Sequence, residues 1–238
     1  MSKTIFITGS SRGIGEACAR AAKDAGYNII LHGKKKSKKL ISLSNELKSK
    51  YYTFNVNDIY KIKSSFKQIK KIDILVNSAG INISKTFLNL KDRDWKEIYN
   101  TNIFGISNVI KYALPVLKKS SKQTKIINIA SVKGTYSAVG HVAYASSKAA
   151  LINLTTGLAK ELSPNIIVNS VSPGFVNTDM TKKTYSNRIQ KQIKSILLRR
   201  IAKTDEIANV VLFLCSDKCT YITGQNIIVD GGFGIKSE

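Results

Sequence analysis

Thr4-Ile-Phe-Ile-Thr-Gly-Ser-Ser-Arg-Gly-Ile-Gly15 joins an apolar run to a glycine-rich turn and then to a stretch of small residues. Thr4–Thr8 has the pattern of a strand. Ile14, Ala17, Cys18, Ala21, Ala22 and Ala25 fall on one face of a following helix, which Gly26 is suited to end. Glycines at 9, 13 and 15 let the backbone turn tightly and approach a pyrophosphate, whose charge a helix N-terminus favours. Strand, glycine turn and helix in this order predict the first unit of an α/β sheet, with an anion site at the strand's carboxyl end.

Outward from this unit the same alternation repeats. Asn28–Leu31, Tyr51–Val56, Ile72–Val76, Ile126–Ala130, Ile166–Val171 and Asn226–Val229 read as strands. Between them lie helical segments, among them a long one from Asp92 to Lys118 with Pro115 near its end, another around Tyr144, and a third from Asp205 to Leu214. Asn177–Lys194 reads as a polar stretch. The prediction is a single Rossmann-type domain over residues 1–238: a doubly wound parallel sheet of about seven strands with helices on both faces.

A second constellation lies between Ser131 and Lys148. Tyr144 and Lys148 are four residues apart, which on a helix places both on one face. An ammonium beside a phenol favours the phenolate, so the Tyr144 pKa is expected to fall, tuning it for proton exchange with a substrate oxygen. Ser131, just after an apolar strand, would hold its hydroxyl at the sheet edge beside that oxygen. Asn77-Ser78-Ala79-Gly80 and Pro173-Gly174-Phe175-Val176-Asn177-Thr178 follow two other strands and gather at the same edge.

These motifs in this order resemble the short-chain dehydrogenase/reductase family, with Asn102 in Asn-Ile-Phe-Gly as a further match. The C-terminal half is most similar to the 3-oxoacyl-[acyl-carrier-protein] reductases, through Pro173–Met180, Asp205–Asp217 and Tyr221–Gly232, and Asn55-Val56 points the same way. The resemblance implies an NADPH-dependent reduction of a 3-oxoacyl thioester. Tyr144 would be the proton donor, Lys148 would bond the nicotinamide ribose, Ser131 would position the carbonyl, and Asn102 would hold a water. It also implies that Gly9, Ser11, Arg12, Gly13, Ile14, Gly15, Asn77, Ala79, Gly80, Pro173, Gly174, Val176 and Thr178 surround the cofactor, and that four copies form a homotetramer. The alternative is an NADP-dependent reductase or dehydrogenase of another ketone or secondary alcohol, such as a sugar. A non-catalytic NADP-binding protein ranks behind both.

Charge decides between the two dinucleotides. Folds that prefer NAD end the second strand with an acidic residue for the ribose 2′-hydroxyl. Here that strand runs into His32-Gly33-Lys34-Lys35-Lys36, so Lys34, with Arg12 opposite, would attract a 2′-phosphate. NADP(H) is the predicted cofactor.

The formal net charge is +23, yet lysines occur along the whole chain rather than in one stripe, so no nucleic-acid partner is expected. An acidic acyl carrier protein is the partner that suits the basic surface, with Lys118, Lys119 and Lys122 placed near the site entrance because they precede the strand that delivers Ser131. No run of about 18 apolar residues exists, and the N-terminus reads directly as strand, so a cytoplasmic protein without membrane contact is expected. Cys215 and Cys219 lack a second ligand pair, which predicts no metal site and, with Cys18, three buried thiols. His32 and His141 receive no role.

Overall fold

The computed structural model describes residues 2–120, 123–185 and 189–235. The first two units are β1 (Thr4–Thr8), α1 (Gly13–Asp24), β2 (Asn28–Gly33) and α2 (Lys38–Glu46), followed by β3 (Lys50–Thr53), α3 (Ile59–Gln68) and β4 (Ile74–Asn77). Next come α4 (Asp92–Tyr99), a π-helical segment (Asn100–Gly105), α5 (Ile106–Leu117), β5 (Thr124–Ile129), α6 (Val142–Leu162) and β6 (Ile166–Pro173). The chain closes with α7 (Asp179–Tyr185), α8 (Ile189–Lys194), α9 (Thr204–Cys215) and β7 (Asn226–Val229).

All seven strands are parallel and stand in the order β3-β2-β1-β4-β5-β6-β7. Alternate residues of each strand leave on opposite faces. Ile5 and Ile7 enter a core with α1, α2 and α9, whereas Phe6 enters one with α3, α5 and α6. Cys18, Cys215 and Cys219 are all buried in the first of these cores, where burial pushes the thiols of Cys18 and Cys215 up. They behave as small apolar side chains.

Two elements differ from the sequence reading. The predicted long helix from Asp92 is interrupted at Asn100–Gly105, because the buried Asn102 side chain bonds outside the helix instead of leaving its turn undisturbed. The polar stretch after Asn177 contains α7 and α8, short helices with no buried position among their described side chains and so little apolar period to read.

Strand order reverses between β1 and β4, and the carboxyl ends of β1, β4, β5 and β6 meet there. Lys118 and Lys119 end up elsewhere. They follow α5 before the first residue of β5, whereas Ser131 comes after its last, so the two places lie at opposite edges of the sheet. Six strand residues at about 3.3 Å each separate them by about 20 Å. Lys118 and Lys119 do not flank the site entrance, and Lys122 lies outside the described residues.

Candidate active site

A cavity of about 570 Å³ opens at these carboxyl ends. Its floor is the turn after β1. Gly9 takes φ +65° there, and a Cβ on Gly15 would meet the Gly9 carbonyl oxygen at 2.5 Å, so the turn folds against the start of α1 with no room for a side chain. Thr8 Oγ1 accepts the amide hydrogens of Ser78 at 3.0 Å and Ala79 at 3.1 Å, tying the turn after β1 to the one after β4. His32 completes the clamp. Its Nδ1 accepts from the Gly9 amide at 3.2 Å and its Nε2 bonds the Phe54 carbonyl at 2.9 Å. Burial holds this imidazole down at about 4, hence neutral. The ring lies against Phe54, with centroids 4.0 Å apart.

The far wall carries Ser131, Tyr144 and Lys148. After β5 the chain makes a single 3-10 turn, Val132–Gly134, in which Ser131 Oγ caps the Lys133 amide at 3.2 Å. A Cβ on Gly134 would stand 2.8 Å from the Lys148 carbonyl carbon, so a glycine here lets α6 pack directly on that turn. This contact brings Ser131 to the face of α6 that carries Tyr144 and Lys148. Burial pushes the Tyr144 phenol up to about 12, against a hydrogen bond from Ser131 that pulls it down. The same burial pushes the Lys148 amine down to about 8. Lys148 Nζ donates to the Ile129 carbonyl at 2.8 Å and stands 5.8 Å from the Tyr144 ring centroid. The fall in the Tyr144 pKa expected from the spacing of the pair is thus opposed by burial, and the Lys148 amine is turned towards a backbone carbonyl.

Of the residues expected around the cofactor, Gly9, Ser11, Arg12, Gly13, Ile14, Lys34, Asn55, Val56, Ala79, Gly80, Pro173, Gly174, Val176 and Thr178 line the cavity. Three others do not. Gly15 supports the turn from beneath. Asn77 is buried and donates to Asn128 Oδ1 at 2.9 Å, and Asn128 passes the bond to Thr155 at 3.0 Å. Asn102 gives its two amide hydrogens to the Ile81 carbonyl and Ser147 Oγ, both at 3.0 Å, and its Oδ1 accepts from Ile81 at 2.9 Å. Its side chain thus binds the turn after β4 to α6. The sequence reading missed His32 and the aromatic pair Phe175 and Phe233, which meet edge-on at 5.3 Å in the cavity wall. An apolar residue in the turn after β6 was the only sign of the first.

The family model described as enoyl-(acyl carrier protein) reductase matches residues 9–234. The chain is 40% identical to the 3-oxoacyl-[acyl-carrier-protein] reductase of Aquifex aeolicus, over 97% of this chain and 96% of that one. This protein is a short-chain dehydrogenase/reductase. The Thermotoga maritima 3-oxoacyl-[acyl-carrier-protein] reductase is 37% identical over 98% of each chain. A Brucella melitensis short-chain dehydrogenase/reductase, titled glucose/ribitol dehydrogenase, superimposes with a TM-score of 0.91 at 30% identity, covering 97% of this chain and 96% of that chain. As a member of the family this short-chain dehydrogenase/reductase is an oxidoreductase of CH–OH and C=O groups and uses a nicotinamide cofactor. The residues present fit such a cofactor. The glycine turn exposes backbone at the start of α1, and Gly13 faces Thr178 across a gap a side chain would narrow, its Cβ position lying 3.6 Å from Thr178 Cγ2. No group of metal-ligating side chains occurs among the described residues, and none of the described helices is long and apolar enough to cross a membrane.

Proposed function

We propose that the protein reduces 3-oxoacyl thioesters carried on acyl carrier protein, with NADPH as the reductant. The observation that carries this reading is the convergence of Ser131, Tyr144 and Lys148 in one cavity with the glycine turn. When bound, the reduced nicotinamide supplies the hydride. Tyr144 enters the reaction neutral, since its phenol is pushed up to about 12, and can give its proton to the carbonyl oxygen. Ser131 orients that oxygen by a hydrogen bond. The phenolate left on Tyr144 is then stabilised by the Lys148 ammonium one turn along α6. Exposed Lys34 and Arg12 border the cavity, whereas the acidic residues in its wall are Glu97 and Asp179, which come from α4 and α7 and not from the end of β2. That charge pattern supports NADPH over NADH.

The net charge of +23 supports an acidic carrier as the substrate's vehicle. Phe104 beside α5, Phe213 on α9 and Ile228 on edge strand β7 are exposed, and their cover in a homotetramer is part of this proposal.

The sugar dehydrogenase named among the structural relatives favours a second reading, oxidation of a secondary alcohol. Oxidation would use the same tyrosine as base, the reverse of the proton transfer above. The deciding experiment measures NADPH turnover with acetoacetyl-carrier protein, an acetoacetyl thioester, a crotonyl thioester and sugars. The 3-oxoacyl substrates should lead. Faster reduction of the crotonyl thioester would replace this reading with C=C reduction, and activity confined to sugars would replace it with the second.

A further inference from the structure

The segment after β7 folds back onto the cavity and has no part in the reading above. It turns at Asp230, whose carboxylate accepts the amide hydrogens of Gly232 at 2.9 Å and Gly234 at 2.8 Å, and a single 3-10 turn, Phe233–Ile235, follows. This turn has no slack on either side. A Cβ on Gly232 would stand 2.9 Å from Leu197 Cβ, and one on Gly234 would overlap the ring of Tyr136. Tyr136 in turn belongs to the segment that carries Ser131, since its amide donates to the Val132 carbonyl at 2.7 Å. Phe233, set between the two glycines, lines the cavity and meets Phe175 edge-on, with centroids 5.3 Å apart and planes at 86°. The cavity's other non-catalytic phenyl ring, Phe54, packs on His32 beside the glycine turn, at the cofactor end.

We propose that Phe233 is a specificity-determining residue that restricts this reductase to short 3-oxoacyl chains. The reacting carbon of a 3-oxoacyl thioester carries two arms. The arm with the thioester must lead out of the cavity to its carrier, so the alkyl arm stays inside, against apolar wall. Beside the Ser131 turn the aromatic part of that wall is Phe175 and Phe233. A longer tail needs the wall to yield. Phe233 cannot back away, because its backbone is held by Asp230 and closely packed against Leu197 and Tyr136, and close-packed groups give way only at a cost. A one-carbon tail asks nothing of the ring, whereas each further methylene presses on it. Phe233 acts through contact with the tail alone, and the hydride and proton transfers are those given above.

This inference rests on the reductase reading, and the test separates the two. NADPH turnover is measured with acetoacetyl and 3-oxooctanoyl thioesters of the same small thiol, for the native protein, Phe233→Ala and Phe233→Met. Alanine removes the ring, and methionine fills much of the same space with a chain that can bend aside. The expected result is a native kcat/KM about tenfold or more lower for the 3-oxooctanoyl substrate than for the acetoacetyl one. Both variants should raise the 3-oxooctanoyl value, mainly through KM, and Phe233→Met should leave the acetoacetyl value nearly unchanged. If the native protein reduces the longer substrate as well as the shorter, or both variants leave the ratio of the two values as it was, the inference is overturned and the reductase reading stands. If the native protein reduces neither thioester, both fall.

Discussion

Gly9 gives its amide hydrogen to Nδ1 of His32 at 3.2 Å, so a buried imidazole on β2 fixes the turn on which the cofactor would rest. The bond needs an unprotonated Nδ1. His32 is pushed down to about 4 from an ordinary 6.5, so the unfolded chain binds the proton more readily. Stability from this group is complete above about pH 6.5 and lost as pH falls towards 4. The loss amounts to about 3 kcal/mol at 1.36 kcal/mol per pKa unit. Urea midpoints should fall across that window, and less so in His32→Phe, which should also weaken NADPH binding about tenfold by orphaning the Gly9 amide. An NMR titration placing His32 near 6.5 would refute the argument.

Tyr144→Phe keeps the ring and removes the proton donor. NADPH binding, followed by nicotinamide fluorescence, should be nearly unchanged, while turnover of the acetoacetyl thioester drops by about 10²–10⁴-fold. Near-native turnover would take Tyr144 out of the mechanism.

Lys34 stands exposed at the end of β2, on the cavity wall. A charge-assisted bond to a 2′-phosphate contributes about 1.5–3 kcal/mol. Lys34→Glu should therefore raise the Kd of NADPH by about tenfold or more and leave that of NADH almost untouched. Native protein that uses NADH and NADPH equally well contradicts the charge argument.

Lys125 is a structural cation. Only 1% exposed on β5, it donates to the carbonyls of Leu214 at 3.2 Å and Ser216 at 2.6 Å, and to that of Cys219, at the negative end of α9. Lys125→Met would fill the space and strand three acceptors, so it should cost about 2–4 kcal/mol of stability. Calorimetry should show a lowered Tm with little change in KM. An unchanged Tm would mean that water replaces the ammonium at no cost.

If the basic surface steers an acidic carrier, added salt should raise KM for acetoacetyl-carrier protein much more than for a small acetoacetyl thioester. Equal salt responses would make the charge incidental to catalysis and strengthen the case for a non-carrier substrate.

The sequence by itself determined the α/β alternation, the number of strands, and the anion-binding turn at Gly9–Gly15, because each depends on residues close together in the chain. It also named Ser131, Tyr144 and Lys148, whose identities and spacing are unusual enough to read without coordinates. Only the tertiary structure decided what surrounds them. The burial that pushes the Tyr144 phenol up comes from distant segments and opposes the pull expected from the lysine one turn away. The role of Asn102 depends on Ile81 and Ser147, and that of His32 on Gly9 and Phe54, pairings far apart in sequence and made only when the sheet assembles. Lys118 and Lys119 were misplaced for the converse reason: a strand carries its two ends to opposite edges of the sheet, so nearness in sequence became distance in space.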